Sequence, residues 1–407
     1  MRKYLILSVA TMLALAACTK ERTSGVEMQD EIGFQVASYV QTKADGETAG
    51  NQPAAATPGK FTHEDFSAYA WHNNPDGTTS PRFSNEKVAQ NDKGVWTTVN
   101  ATYYWMKTGS DDFVCYAPFG EGSPEVLPTS ITWGKADPWY QVKMDNKDLM
   151  YADKALNQTG VKAGSTVATP VPALFHHALA KLSFRVKANF VTDDAQTTTW
   201  EVTLRSAKLS GIRTKGTLAL ALPAGSTDGK WTLPTERVTW TENDVPKSQE
   251  VHVWSIPEAA MGSVLEPIEL VSSREGIKLT TEEQDLYLDK DGKPQSFYVL
   301  PQALMTSGQD FVAQQLTVDF RIKTTIYYPE NKEERVFQED YVNTIDLIDI
   351  SSLKAWQMGQ DIRYTIRIKP THIEDPNTPD TPNDVTVTFD PALVGWEPAT
   401  AELDIQL

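Results

Sequence analysis

Cysteine is almost missing from this chain: there are two in 407 residues, Cys18 and Cys115. That excludes a disulfide framework and any Cys-x-x-Cys metal or redox motif. Positive charge is also scarce, with 37 basic residues against 54 acidic ones and a net charge of −17. A chain of that sign is repelled by phosphate backbones, so nucleic acid is not an expected partner. Long apolar runs are lacking too. The longest, Leu5 to Ala17, is too short to span a bilayer. No Gly-x-Ser-x-Gly elbow occurs, and no stretch sustains a long helical period or a repeat.

What is present points to pleated sheet. Aromatic residues make up 10% of the chain, and its 24 Pro and 23 Gly fall as punctuation between short apolar runs. This composition predicts an all-β protein. Its length suits two domains, each able to bury a core.

The first residues form a targeting segment. Arg2 and Lys3 supply its charge, and the apolar run ends Leu15-Ala16-Ala17-Cys18, the pattern of a bacterial lipobox. Residues 1–17 are therefore read as a lipoprotein signal peptide and Cys18 as the lipidated residue, an anchor without a transmembrane helix. Losing Arg2 and Lys3 takes the net charge from −17 to −19. Residues 18–28 form a polar tether. Cys115 then stands alone within the strand-like Asp112–Ala117, a setting for a buried small hydrophobe.

Ile32, Phe34, Val36, Ser38 and Val40 alternate with Gly33, Gln35, Ala37 and Tyr39, which predicts a first strand. Behind it runs a small, polar, breaker-rich stretch from Gln41 to Gly59. That is the composition of an exposed loop open to proteases, and Lys43 lies in it. Further strands are expected over Phe66–Trp71, Trp96–Trp105, Phe113–Ala117, Trp133–Tyr140 and Asp148–Ala152. The stretch Leu174–Val186 follows Pro170 and Pro172. It alternates strictly from Ala180, with Leu182, Phe184 and Val186 facing one way. A domain boundary is placed near residue 168, giving domains over 29–168 and 169–407.

In the second domain, strands are read over Trp200–Leu204, Val251–Trp254, Leu286–Leu288, Phe297–Leu300, Phe311–Tyr328 and Tyr364–Ile368. Leu209–Ile212 is expected to form a hairpin with Thr217–Leu220 through Lys215-Gly216. A short helix is expected over Ser351–Met358, capped by Gly359. Pro370–Asn383 reads as a linker. Beyond it, 385–407 is a terminal strand segment, where Val385, Val387 and Phe389 alternate, as do Leu403, Ile405 and Leu407.

Motifs that carry chemistry are incomplete. His63-Glu64 opens like a zinc-protease helix, but Ser67 stands where the second ligand belongs. Gly211–Gly216 has phosphate-loop spacing with Thr217 in the place of the lysine. Asp289–Lys293 reads as a turn rather than a calcium loop. His176 and His177 are adjacent, so on a strand they face opposite ways. No metal, cofactor or catalytic residue is expected. The 11 Trp residues allow an alternative, a surface lipoprotein that captures glycans by stacking. A glycosidase would need two facing carboxylates that sequence cannot pair.

Several of these stretches taken in order resemble the fimbrillin family, the lipoprotein-derived subunits of type V pili. They are the lipobox at Cys18, the strand with Phe34 followed by Thr42-Lys43-Ala44, Phe113–Pro118, Asp148–Ala152 and Phe175–Val186. Leu209–Ile212 with Gly216, Tyr298–Gln302, Trp356 with Gly359, Tyr364–Ile366 and Trp396-Glu397 extend the likeness along almost the whole chain. The resemblance implies tandem β-sandwich domains of transthyretin-like, Greek-key type, with display on the outer membrane and no enzymatic activity. It also implies assembly with other pilus subunits. In polymerising members a trypsin-like protease removes the first strand, and a terminal strand from a neighbour replaces it. Carried onto this chain, Lys43 would be the processing site, where many members have arginine. Ile32, Phe34, Val36 and Val40 would line the exchanged strand, and Leu403, Ile405 and Leu407 would be donor candidates. That tail could equally complete its own sheet.

Overall fold

The computed structural model describes residues 30–41, 56–59, 61–120, 130–133, 148–160, 169–189, 198–214, 216–220, 222–242, 244–256, 264, 266–271, 275–306, 312–328, 332–349, 353–372 and 383–394. Among these the protein is all-β, with helix confined to one 3-10 turn at Leu347–Asp349. The strands come in chain order as β1 (Gly33–Gln41), β2 (Ala56–Gly59), β3 (Asp65–Asn73), β4 (Thr79–Gln90) and β5 (Trp96–Thr98). Then follow β6 (Ser110–Ala117), β7 (Ser130–Trp133), β8 (Met150–Ala152), β9 (Ala155–Gln158) and β10 (Val171–His177). The middle of the chain gives β11 (Ala180–Ala188), β12 (Thr198–Ser210), β13 (Gly216–Ala219), β14 (Glu236–Glu242) and β15 (Val245–Val251). Short strands come next: β16 (Ile268–Glu269), β17 (Ile277–Lys278), β18 (Gln284–Asp285), β19 (Phe297–Val299) and β20 (Gln302–Ala303). The last are β21 (Gln315–Tyr328), β22 (Glu333–Asp346), β23 (Ala355–Trp356), β24 (Asp361–His372) and β25 (Asn383–Val394).

The first sheet runs β10-β8-β6-β3-β4-β5-β1-β2, with β9 beside β6. Because β1 also pairs with β10, the sheet closes on itself. Closure removes the open edges that β1 and β10 would otherwise present. Inside lies an apolar cluster that includes Phe34, Phe66, Phe113 and Phe175.

Two further sheets, β18-β11-β24-β25 with β19 on β11, and β16-β12-β21-β22 with β17 on β12, share a second apolar cluster. The period of two dictates which residues enter it. Along β11, Leu182, Phe184 and Val186 are buried while Lys181, Ser183 and Arg185 are half-exposed. Ile362, Tyr364, Ile366 and Ile368 of β24 do the same. Phe184 stacks between Phe297 at 5.8 Å and Tyr364 at 5.4 Å. Each such side chain contributes about 1.5–3 kcal/mol of burial. A third cluster joins Tyr69, Tyr116 and Tyr151, from the first sheet, to Leu218, Trp254, Leu300 and Met358. Trp254 Nε1–H donates there to the carbonyl of Ala178, in the β10–β11 connection, at 2.8 Å.

Several expectations are corrected. No helix forms over 353–358, the described part of Ser351–Met358: Ala355–Trp356 is β23, paired with β20, and Gly359 takes its positive φ of 72° in a turn. Packing overrides propensity there, since Trp356 is fully buried and donates to Tyr364 Oη at 2.8 Å. Leu209–Ile212 and Thr217–Leu220 do not form a hairpin. Instead β13 pairs with β7, Leu218 opposite Ile131. The linker begins later than read, because β24 continues through Pro370 to His372, with Pro370 opposite Val385 on β25. His252–Trp254 and Leu286–Leu288 lie just beyond β15 and β18. The Asp289–Lys293 turn is present: Asp289 Oδ1 accepts from the backbone N–H groups of Asp291 and Lys293, and Gly292 has a φ of 77°.

Candidate functional site

Of the residues singled out by sequence, Phe34, Val36 and Val40 lie on β1 and Ile32 just before it. The alternation that runs into it turns Ile32 and Phe34 into the core, where they are 1% and 4% exposed. Val36, half-buried, packs against the same cluster, and Ser38 is buried. Phe34 meets Phe66 edge-on at 5.5 Å and Phe113 at 5.9 Å. Around that pair, Phe61 lies 4.6 Å from Phe175 and 5.5 Å from Trp96. The edge-to-face contacts of Phe34 with Phe66 and Phe113 and of Phe61 with Trp96 add specificity beyond the buried area.

Both edges of β1 are laddered. On one side it runs parallel to β10, with Phe34 opposite Val171 and Ser38 opposite Phe175. On the other it is antiparallel to β5 at Gly33 and Phe34, and to β2 from Ser38 to Gln41, Val40 facing Thr57. Just before the strand, Ile32 N–H donates to Tyr103 O at 2.8 Å and Trp105 N–H to Asp30 O at 3.0 Å. Removing β1 would leave the inward edges of β10 and β5 unpaired above an aromatic trough. Cys18, Lys43, Leu403, Ile405 and Leu407 fall outside the described residues.

Two polar features beside this seat escaped sequence reading. At the Tyr104 end, Asp111 is 1% exposed and takes His72 Nδ1 on one carboxylate oxygen at 2.8 Å and Arg82 Nη1 on the other at 2.9 Å. Arg82 also donates to Tyr104 O at 2.6 Å, and Tyr104 bridges Glu31. Residues 29 and 39 apart in sequence meet here, and nothing in their local pattern announces it.

The second feature is His63, half-buried beside Phe61 with its Nε2 unpartnered. Burial lowers its pKa below 6.5, a shift opposed by the charges of Asp148 and Asp65 and assisted by that of His177. The unfolded chain then binds a proton that the folded chain refuses, so stability is held above pH 6.5 and lost as pH falls through that value toward the folded pKa. Denaturation midpoints measured across pH 6.5 are expected to fall with acid in the native protein and less steeply in His63→Gln. An unchanged slope in the variant would assign the acid sensitivity elsewhere.

The adjacent histidines do face opposite ways. His176 meets Asp153 at 2.9 Å, and buried His177 meets Asp148 at 2.5 Å. Cys115 is buried as read, and burial pushes its thiol pKa up, which leaves it a poor nucleophile. No grouping of His, Cys, Asp and Glu among the described residues is arranged to hold a metal. Of the tryptophans whose side chains are described, Trp105, Trp254 and Trp356 are buried and Trp71, Trp96, Trp200, Trp231 and Trp240 are half-buried.

The chain matches solved structures over most of its length at low identity. A candidate cell adhesion protein of Bacteroides uniformis ATCC 8492 is 18% identical with a TM-score of 0.35, covering 88% of this chain and 97% of that one. A candidate cell adhesion protein of Parabacteroides distasonis ATCC 8503 is 12% identical with a TM-score of 0.36, covering 90% and 100%. The fimbrial anchor protein Mfa2 of Porphyromonas gingivalis is 12% identical with a TM-score of 0.26, covering 90% and 99%. No curated protein matches. The family model described as fimbrillin-like matches residues 42–388, most of the chain. This protein therefore belongs to the fimbrillin-like family, structural proteins of fimbriae on the cell surface rather than enzymes.

Proposed function

We propose that this protein is a subunit of a surface fimbrium, exported as a lipoprotein through Cys18 and anchored by that lipid to the outer membrane. Residues 1–17 are its signal peptide, 18–28 its tether, and 29–168 and 169–407 its two sandwich domains. Cleavage after Lys43 by a trypsin-like protease frees β1. A terminal strand of a neighbouring subunit, with Leu403, Ile405 and Leu407 as its apolar positions, then takes the vacated place.

The observation that carries this reading is the seat of β1: a strand laddered on both edges with Phe34 at the centre of an aromatic core. A strand so placed is costly to lose and favourable to replace, the condition for β-augmentation. Refilling the positions of Ile32, Phe34 and Val36 returns about 5–9 kcal/mol gross, before the cost of ordering the incoming strand. That suffices for a durable joint without a disulfide.

The experiment is limited digestion of the folded protein with a trypsin-like protease, followed by size analysis. Cleavage at Lys43 is expected to yield polymers, and deletion of Leu403–Leu407 to leave cleaved monomers. Monomers from the intact chain after complete cleavage would exclude assembly by strand exchange. Mass spectrometry of the N-terminus on native cells reads the other half of the proposal, a mature chain beginning either at lipidated Cys18 or at Ala44.

A further inference from the structure

The parallel pair β11 and β24 places Lys181 directly opposite Asp361. Their side chains meet, Nζ to Oδ2, at 3.0 Å. The lysine is 20% exposed and the aspartate 6%. Other lysine–aspartate contacts on the molecule are wetter: Lys87–Asp65 is 35% and 24% exposed, and Lys154–Asp112 is 21% and 16%. At its other edge Lys181 lies opposite Tyr298, which packs against the apolar cluster of Leu179, Trp254 and Met358. The ammonium and carboxylate are therefore held in contact on neighbouring backbones, with the carboxylate in surroundings that disfavour its charge. Burial raises the pKa of Asp361, against the opposing pull of Lys181, Arg363 and His177.

We propose that Lys181 and Asp361 are the site of an intramolecular amide cross-link. Within the contact the ammonium hands a proton to the buried carboxylate, giving a neutral amine beside a neutral carboxylic acid. The nitrogen lone pair attacks Cγ of Asp361. The Nζ–Cγ bond forms and the Cγ–OH bond breaks. The hydroxyl leaves with one amine proton as water. No oxidant, metal or second molecule enters the balance, and the register already supplies the orientation that makes such condensations fast.

The placement gives the bond a purpose. β11 and β24 are neighbours in space but far apart in sequence, so the link would close a long loop of the unfolded chain and clamp two central strands of one sheet. A chain with a single thiol beyond Cys18 has no disulfide to do this. The inference is independent of the fimbrial reading, since it needs only the fold.

Intact-mass spectrometry of the folded full-length protein is the test. The expected mass is that of the chain minus one water, with a digest containing one branched peptide that joins the segments of Lys181 and Asp361. Lys181→Met is expected to restore the uncondensed mass. Asp361→Asn is expected to lose ammonia instead of water and so to arrive at the same final mass as the native protein. A native chain that keeps its full mass after prolonged incubation in the folded state, with no branched peptide, overturns the proposal and leaves an ordinary ion pair.

Discussion

Replacing Phe34 with alanine is expected to cost about 3–5 kcal/mol of stability, the range for deleting a buried aromatic from a core that cannot collapse around the gap. The ring is 4% exposed and wedged edge-on between Phe66 and Phe113, which are themselves fixed by β3 and β6. The vacancy would therefore persist. Chemical denaturation reads the loss as a lower midpoint at unchanged slope. Val36→Ala, from a half-buried position on the same strand, is expected to cost about 1 kcal/mol. A loss below about 1 kcal/mol at Phe34 would mean that β1 is peripheral. The same substitution also interrogates assembly. If β1 is cut away and replaced as proposed, Phe34 leaves the core, and polymers made from the variant are then expected to be as stable as native ones. A penalty that persists after cleavage would show that β1 stays in place.

How much of this was legible in the residues depends on how each strand is buried. β11, β21 and β24 declare themselves because each buries one whole face, so that Leu182, Phe184 and Val186, or Ile362, Tyr364 and Ile366, recur at every second position. β22 hides, although it is 14 residues long. It lies at the end of its sheet order, with Phe337, Tyr341 and Ile345 only half-buried and Val336 and Val342 exposed, so no apolar period emerges. The hairpin of β14 and β15 is missed because most of its residues face solvent. β10 is masked by Pro172, tolerated within a strand whose partner there is Gln35 of β1. The helix expected over Ser351–Met358 failed because the burial of Trp356 against Tyr364 is a tertiary fact. The seat of β1 was half legible. Its inward residues follow from alternation, while its partners β10, β5 and β2 follow from topology, which local pattern does not encode. Charged groups are least legible, since Asp111, His72 and Arg82 come from three strands.

That trio supplies the second large effect. Asp111→Ala is expected to destabilise the fold by about 3–5 kcal/mol, the usual result of deleting one partner of a buried ion pair. The carboxylate is 2% exposed and engages both Arg82 and His72, whose side chains are 11% and 3% exposed. Without it a guanidinium is stranded in a dry site. Replacing His72 with phenylalanine should cost less, because Arg82 keeps its partner. The consequence for β1 separates this network from a generic core defect. Arg82 holds the carbonyl of Tyr104, and Tyr104 pairs with Glu31 at the entry to β1. In Asp111→Ala, amide exchange at Ile32, whose N–H donates to Tyr103, should accelerate more than exchange in β11 or β24. Uniform acceleration across both regions would mean that Asp111 supports the whole fold and has no special hold on the strand.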